Sequence, residues 1–135
     1  MVGLDAAAAG RLADQMMRDG ERPTALWRHV ILQLLDDYES DRRREGPLVA
    51  ARRFDEEPAP TSSRQLDAAL AALAEHLARR DGWTTPACAV DARRYAPNWW
   101  FVTPLKGMHA AALQQSPSAF RRRGVFITAD GLNRT

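Results

Sequence analysis

The stretch that organises the chain begins NWWFVTP at residues 98–104 and ends SPSAFRRRGVFI at residues 116–127. It holds five of the chain's ten Trp, Tyr and Phe residues, so we expect the most specific packing here. Trp99 and Trp100 are adjacent, and adjacent residues of an extended chain face opposite sides. The sequence therefore predicts that one of these two rings is buried and that the other is more open.

The size and composition are those of a single soluble globular domain. The chain has 135 residues, of which 45% are hydrophobic and 27% are charged, and this is enough to bury a core. Residues 1–67 carry a net charge of −3 and residues 68–135 a net charge of +5. A mildly basic half is compatible with a nucleic acid or with an acidic partner surface.

Cysteine content and hydropathy indicate in which cellular compartment the protein is expected. Cys88 is the only cysteine, so no internal disulfide can form, which fits a reducing cytoplasm. No stretch approaches the roughly 18 apolar residues of a membrane span. The first residues lack the basic flank and apolar run of a secretory signal. We therefore expect a cytoplasmic protein that does not enter a membrane.

The first part of the chain predicts a helical hairpin over residues 1–46. Apolar residues recur at helical spacing on both sides of a short turn at Gly20. The positions expected to form one buried cluster are Leu12, Met16, Trp27, Ile31 and Leu34. The stripe of the second helix is wide enough for two surfaces. It is therefore expected either to pair with a second copy, giving a homodimer, or to cover the rest of the chain.

The remainder predicts a linker at residues 47–62 and a helical C-terminal module at residues 63–135. The run DEEPAPT at residues 55–61 is typical of a linker. Ser62 and Gln65 have the spacing of a capping box at the start of a leucine-striped helix, and Gly82 is placed to end it. The expected fold class is mainly α, with a short extended segment near Trp99.

Two elements are expected after residue 103. A helix should follow Thr103, with one apolar face made of Leu105, Met108, His109, Ala112 and Leu113. Val125–Ile127 is short and apolar, which predicts a buried segment or a tiny strand.

Two sequence patterns resemble a known family: LDAALAALAEHLA at residues 66–78, followed by Gly82-Trp83, and SPSAFRRRGVFI at residues 116–127. They resemble a family of small bacterial proteins over about Pro58 to Asn133. In some of its members a similar module follows a helix-turn-helix domain. The resemblance implies an antitoxin-like partner of a nucleotidyltransferase-type toxin and includes no catalytic motif. Residues 1–46 depart from a standard helix-turn-helix, because the third helix and its spacing are missing.

No residue is expected to be catalytic or to bind a metal or cofactor. Glu75 and His76 are adjacent on a helix and point about 100° apart, so they do not face one substrate. The three histidines lack the i, i+4 spacing of a helical zinc site. Cys88 lies among alanines with no base nearby, which predicts an inert thiol.

The candidate partner-binding residues lie in the organising stretch: Trp99, Trp100, Phe120, Arg121, Arg122 and Arg123. An exposed Trp is typical of a protein-binding hot spot. The expected function is a non-enzymatic protein-interaction module, antitoxin-like or regulatory, that binds a partner protein. The alternative is a small nucleic-acid-binding regulator, in which the three arginines bind phosphate and the rings stack on bases.

Overall fold

The computed structural model describes residues 3–103 and 105–133. The chain is mainly helical with two short strands, which confirms the predicted fold class. The α-helices are α1 (Ala6–Arg18), α2 (Pro23–Leu26), α3 (Leu32–Glu45), α4 (Pro47–Ala50), α5 (Arg64–Asp81), α6 (His109–Gln115) and α7 (Ser118–Arg122). A π-helical segment (Trp27–Ile31) joins α2 to α3, and 3₁₀ segments cover Ala51–Phe54, Ala87–Val90, Ala92–Arg94 and Lys106–Met108. The strands are β1 (Trp100–Phe101) and β2 (Val125–Phe126). Among the described residues, no helix has the length and apolar character needed to cross a membrane.

Helix α5 lies at the centre of the fold. It contacts α1, the π-helical segment, α7 and β2. Its leucine stripe is buried and consists of Leu66, Leu70, Leu73 and Leu77. Alanines occupy much of the remaining surface of the helix and are also buried, so neighbouring elements can approach its backbone closely. Burial of α5 on several sides makes it the scaffold on which the other elements pack.

The first helices pack back onto one another and onto α5. The Leu4 N–H donates to Asp37 Oδ2 at 2.8 Å, so the start of α1 lies beside α3. Of the residues expected to form one cluster, Trp27, Ile31 and Leu34 are buried, while Leu12 and Met16 are half-buried against them. The apolar stripe of this helical run is used within the chain, since the π-helical segment contacts α5.

The segment predicted as a linker, residues 47–62, contributes side chains to the core. Phe54 is 5% exposed and belongs to the same core cluster as residues from α1, α3 and α5. Arg53 is buried as well, and its Nε donates to Asp41 Oδ2 at 2.5 Å. Composition correctly indicated exposed carboxylates at residues 55–57. It could not indicate an arginine that pairs with an aspartate on another helix.

The two strands form a parallel pair with Trp100 opposite Val125 and Phe101 opposite Phe126. The Trp100 N–H donates to Gly124 O at 2.8 Å, and the Val102 N–H donates to Phe126 O at 3.1 Å. Because side chains alternate along a strand, the sheet has two different faces. Trp100 and Val125 lie on the core face, whereas Phe101 and Phe126 lie on the opposite face.

The start of α5 differs by one residue from its prediction and can be tested. Ser63, not Ser62, is the N-cap, and its Oγ accepts from the Leu66 N–H at 3.2 Å. We expect Ser63→Ala to lower the free energy of unfolding by about 1 kcal/mol, since one backbone donor loses its partner. Ser62→Ala is the matched control and should cost less than about 0.5 kcal/mol. Urea denaturation distinguishes the two serines, and a larger loss for Ser62→Ala would contradict this cap assignment.

Candidate functional site

Trp99 and Trp100 lie on opposite sides of the chain at β1, as predicted. Trp100 is 8% exposed, and its ring makes an edge contact with Trp27 at a centroid distance of 6.0 Å. Trp99 is 66% exposed. Its ring rests against Phe126 at 5.0 Å. Of the adjacent pair, only Trp99 therefore presents most of its surface to solvent.

Trp99 belongs to a cluster of rings on the side of the sheet that faces away from the core. Phe101 stacks on Phe126, with centroids 5.2 Å apart and planes 22° apart. The His109 ring, at the start of α6, stacks on Phe101 at 4.1 Å and 13°. We call Trp99, Phe101, Phe126 and His109 the outer aromatic face. Its rings pack against one another, so the exposed indole of Trp99 lies against rings that are already packed.

Exposed aliphatic side chains continue from the outer aromatic face along the chain. Leu105 is 65% exposed and Met108 is 41% exposed, both on the segment that leads into α6. Leu113 is also 41% exposed. The predicted apolar face of this helix is therefore only partly buried, and Ala112 is its one fully buried member within the described residues. The apolar spacing was recognised from the sequence, which did not indicate whether the face is covered.

Arg123 is a structural residue rather than an exposed cation. Its side chain is fully buried and its Nη1 donates to Glu75 Oε1 at 2.5 Å. It also donates to the carbonyl oxygens of Ala119 at 2.9 Å and Ala89 at 2.8 Å. The guanidinium lies 5.2 Å from the centre of the Tyr95 ring. Arg123 thus ties α7 and the 3₁₀ segment Ala87–Val90 to α5.

The other two arginines of the run have different surroundings. Arg122 is partly exposed and forms an ion pair with Glu75 Oε2. Burial acts to raise the pKa of Glu75, but hydrogen bonds from Arg122 and Arg123 outweigh it and hold that pKa below its usual value. Arg121 is exposed and donates to Gln114 O at 2.9 Å and Ser116 O at 3.1 Å. The three side chains therefore do not form one phosphate-binding cluster.

Phe120 lies in the core as well. It is fully buried, with its ring 6.0 Å from Trp27 and 5.9 Å from His76. Three of the six predicted partner-binding residues, Trp100, Phe120 and Arg123, are therefore interior and cannot touch a partner in this conformation. Their packing places the exposed residues, above all Trp99. Phe101, Leu105, Met108 and His109 were not predicted to be surface residues. Leu105 and Met108 are exposed, and Phe101 and His109 are half-buried.

The remaining groups that could carry chemistry have structural surroundings. Glu75 binds arginines, while burial lowers the pKa of His76 and its ring packs against Phe120. The two side chains therefore do not act on a common site. Burial also raises the pKa of Cys88, which disfavours the reactive thiolate. No group of three or more potential metal ligands occurs within residues 3–103 and 105–133.

No family model, curated protein or solved structure matches this chain. The resemblance to antitoxin-like proteins therefore stays a prediction from the two sequence patterns at residues 66–83 and 116–127. In the structure these patterns form α5 and the α7–β2 segment, which meet at Glu75 and Arg123.

Proposed function

We infer that this chain is a non-enzymatic protein-interaction module that holds a partner protein through its outer aromatic face. The observation that carries this proposal is the 66% exposure of Trp99 above the packed rings of Phe101 and Phe126. Following the family resemblance, we propose a toxin-like protein of the nucleotidyltransferase type as the partner. The single free thiol, Cys88, supports a cytoplasmic location for this interaction.

Preorganisation of the Trp99 ring favours the binding of a partner. A Trp side chain offers a large apolar area with few rotatable bonds, which is why Trp is enriched among binding hot spots. The ring of Trp99 already rests on Phe126, so little conformational freedom remains to be lost on binding. Leu105 and Met108, on the segment that leads into α6, add exposed apolar surface. Burial of this surface by a partner would contribute hydrophobic free energy without refolding the chain.

The alternative function, nucleic-acid binding, has weaker support. Arg123 is buried, and both Arg122 and Arg123 form ion pairs with Glu75. Phosphate binding by these two side chains would require breaking contacts that hold α5 to α7. Arg121 and the base-stacking capacity of Trp99 remain, which is why the test below includes DNA and RNA.

The test uses Trp99→Ala and a matched control, Leu48→Ala. Leu48 is 72% exposed on α4 and lies outside the outer aromatic face. We expect Trp99→Ala to weaken binding to the product of the adjacent gene at least tenfold, or about 1.4 kcal/mol, while Leu48→Ala has little effect. Isothermal titration calorimetry measures the affinities. Both variants should change the free energy of unfolding by less than about 1 kcal/mol, since each removes an exposed side chain.

The same experiment discriminates between the two functions. Duplex DNA and RNA are titrated at two salt concentrations, because phosphate contacts make affinity fall steeply with salt. Tight, salt-sensitive nucleic-acid binding that is lost in Arg121→Ala and unchanged in Trp99→Ala would overturn the proposed function. Partner binding that is equal in wild type and Trp99→Ala would also overturn it.

A further inference from the structure

The edge of β1 that faces away from β2 has unpaired backbone groups. In the parallel pair, Trp100 and Val102 donate to β2, so the N–H and C=O of Phe101 point away from that strand. The far edge of β2 is different, because the Ile127 N–H donates to Ser116 Oγ at 2.8 Å. In the described part of the chain, no hydrogen bond reaches the backbone of Phe101. Ser116 therefore occupies part of the far edge of β2, whereas the free edge of β1 can accept another strand.

The charged residues in the sequence around this edge are all basic. Residues 92–129 contain six Arg and Lys residues and no Asp or Glu. Four of the six have carboxylate partners within 4 Å, namely Arg93, Arg94, Arg122 and Arg123. Lys106 and Arg121 have none among the described residues. Lys106 lies just before α6, the helix whose His109 stacks on Phe101. Arg121 lies on α7 and donates to Ser116 O, on the β2 side of the sheet.

We propose that the free edge of β1 accepts an extended, acidic segment of the partner protein as a third strand. This inference rests on the proposed function and specifies the chemistry of the partner. Alternate side chains of the added strand would pack on Trp99 and Phe101, and its Asp or Glu residues would face Lys106. An acidic protein strand fits better than a polyanion, because a peptide backbone can also pair with the Phe101 N–H and C=O.

The physical basis is strand addition, in which an extended peptide pairs with an exposed sheet edge and side-chain contacts supply specificity. Unpaired edges readily template another strand. Since β1 has only two residues, main-chain hydrogen bonds alone are few. Recognition must therefore depend on the aromatic contacts and on charge, and both should be visible in the composition of the peptides that bind.

The experiment selects a displayed library of random twelve-residue peptides against the full chain, with counter-selection against Trp99→Ala. We expect the enriched peptides to be acidic, with apolar residues at every second position. The best peptide is then synthesised with a fluorescent label. Its affinity should fall at least tenfold with Trp99→Ala and at least fivefold with the charge reversal Lys106→Glu. Leu48→Ala should leave it unchanged.

Backbone N-methylation of the peptide separates strand pairing from side-chain docking. Methyl groups on every second residue, placed in one register, should abolish binding, while the same number in the other register should not. Selected peptides that are basic, that show helical periodicity, or that bind equally well in both methylated forms would overturn the inference. Failure to enrich any peptide that discriminates against Trp99→Ala would also overturn it. If binding of the whole partner still requires Trp99, the proposed function survives and only strand addition fails.

Discussion

Replacing Glu75 with alanine is expected to destabilise the fold by about 3–5 kcal/mol, because a buried arginine would lose its counter-charge. The side chain of Arg123 has no solvent exposure, and its Nη1 lies 2.5 Å from Glu75 Oε1. Without the carboxylate, the guanidinium keeps only the carbonyl oxygens of Ala119 and Ala89. Equilibrium unfolding in urea measures the loss. Glu56→Ala is the matched control, since Glu56 is exposed, and it should change stability by less than about 0.5 kcal/mol.

The pH dependence gives a second readout of the same ion pair. Burial acts to raise the pKa of Glu75, but its hydrogen bonds to Arg122 and Arg123 lower it below the ordinary value of 4.5. A carboxyl group with a lowered folded-state pKa contributes stability above its unfolded pKa and loses that contribution as pH falls. The difference between wild type and Glu75→Ala should therefore be largest near neutral pH and shrink below about pH 4.5. A difference that is constant with pH would show that packing, not charge, explains the loss.

Phe120→Ala should cost a comparable amount, about 3–5 kcal/mol, as is usual for an aromatic residue removed from a core. Phe120 is fully buried between Trp27 and His76, so its removal leaves a cavity next to the sheet. Trp99→Ala is the matched control, because it also removes a ring from this region but an exposed one. Guanidinium denaturation followed by circular dichroism measures both variants.

The comparison of these two rings tests how the organising stretch is divided between core and surface. If Phe120→Ala lowers the free energy of unfolding by less than about 1 kcal/mol, Phe120 on α7 is not a core residue. If Trp99→Ala destabilises as strongly as Phe120→Ala, Trp99 belongs to the core and cannot serve as a free binding anchor.

Local sequence patterns predicted the long helices well. The leucine spacing over residues 66–77 reflects the helical period, and that stripe is buried in α5. Gly82 ends the helix in a left-handed conformation, with φ at 81°, for the reason that favoured glycine there. Alternation along an extended chain separated Trp99 from Trp100. In each case the signal lies within a few residues along the chain.

Contacts between distant residues could not be predicted in this way. Arg121, Arg122 and Arg123 look equivalent in sequence, yet successive residues near a helix point about 100° apart and meet different surroundings. Only Arg123 reaches the core, where its partner, Glu75, lies 48 residues earlier. Likewise, Arg53 lies in the segment predicted as a linker, and it is buried in an ion pair with Asp41 on α3.

Contacts between distant residues also decide which side chains are exposed at the candidate binding surface, and the sequence predicted these only in part. Helical spacing over residues 105–113 indicated which side chains share a face, but not whether another element covers that face. Leu105 and Met108 are exposed, since α6 begins only at His109 and nothing within residues 3–103 and 105–133 covers them. Exposure depends on the whole fold, so the aromatic surface became apparent only from the structure.

The most direct test of partner binding by the outer aromatic face is amide hydrogen exchange of the full chain, alone and with the product of the adjacent gene. We predict slowed exchange over residues 99–109, which carry Trp99, Phe101 and His109, with the Phe101 amide among the most protected. Exchange around Leu48 on α4 should be unchanged. Protection centred on α4 with none over residues 99–109, or no change anywhere at saturating partner concentration, would contradict the claim that the outer aromatic face binds this partner.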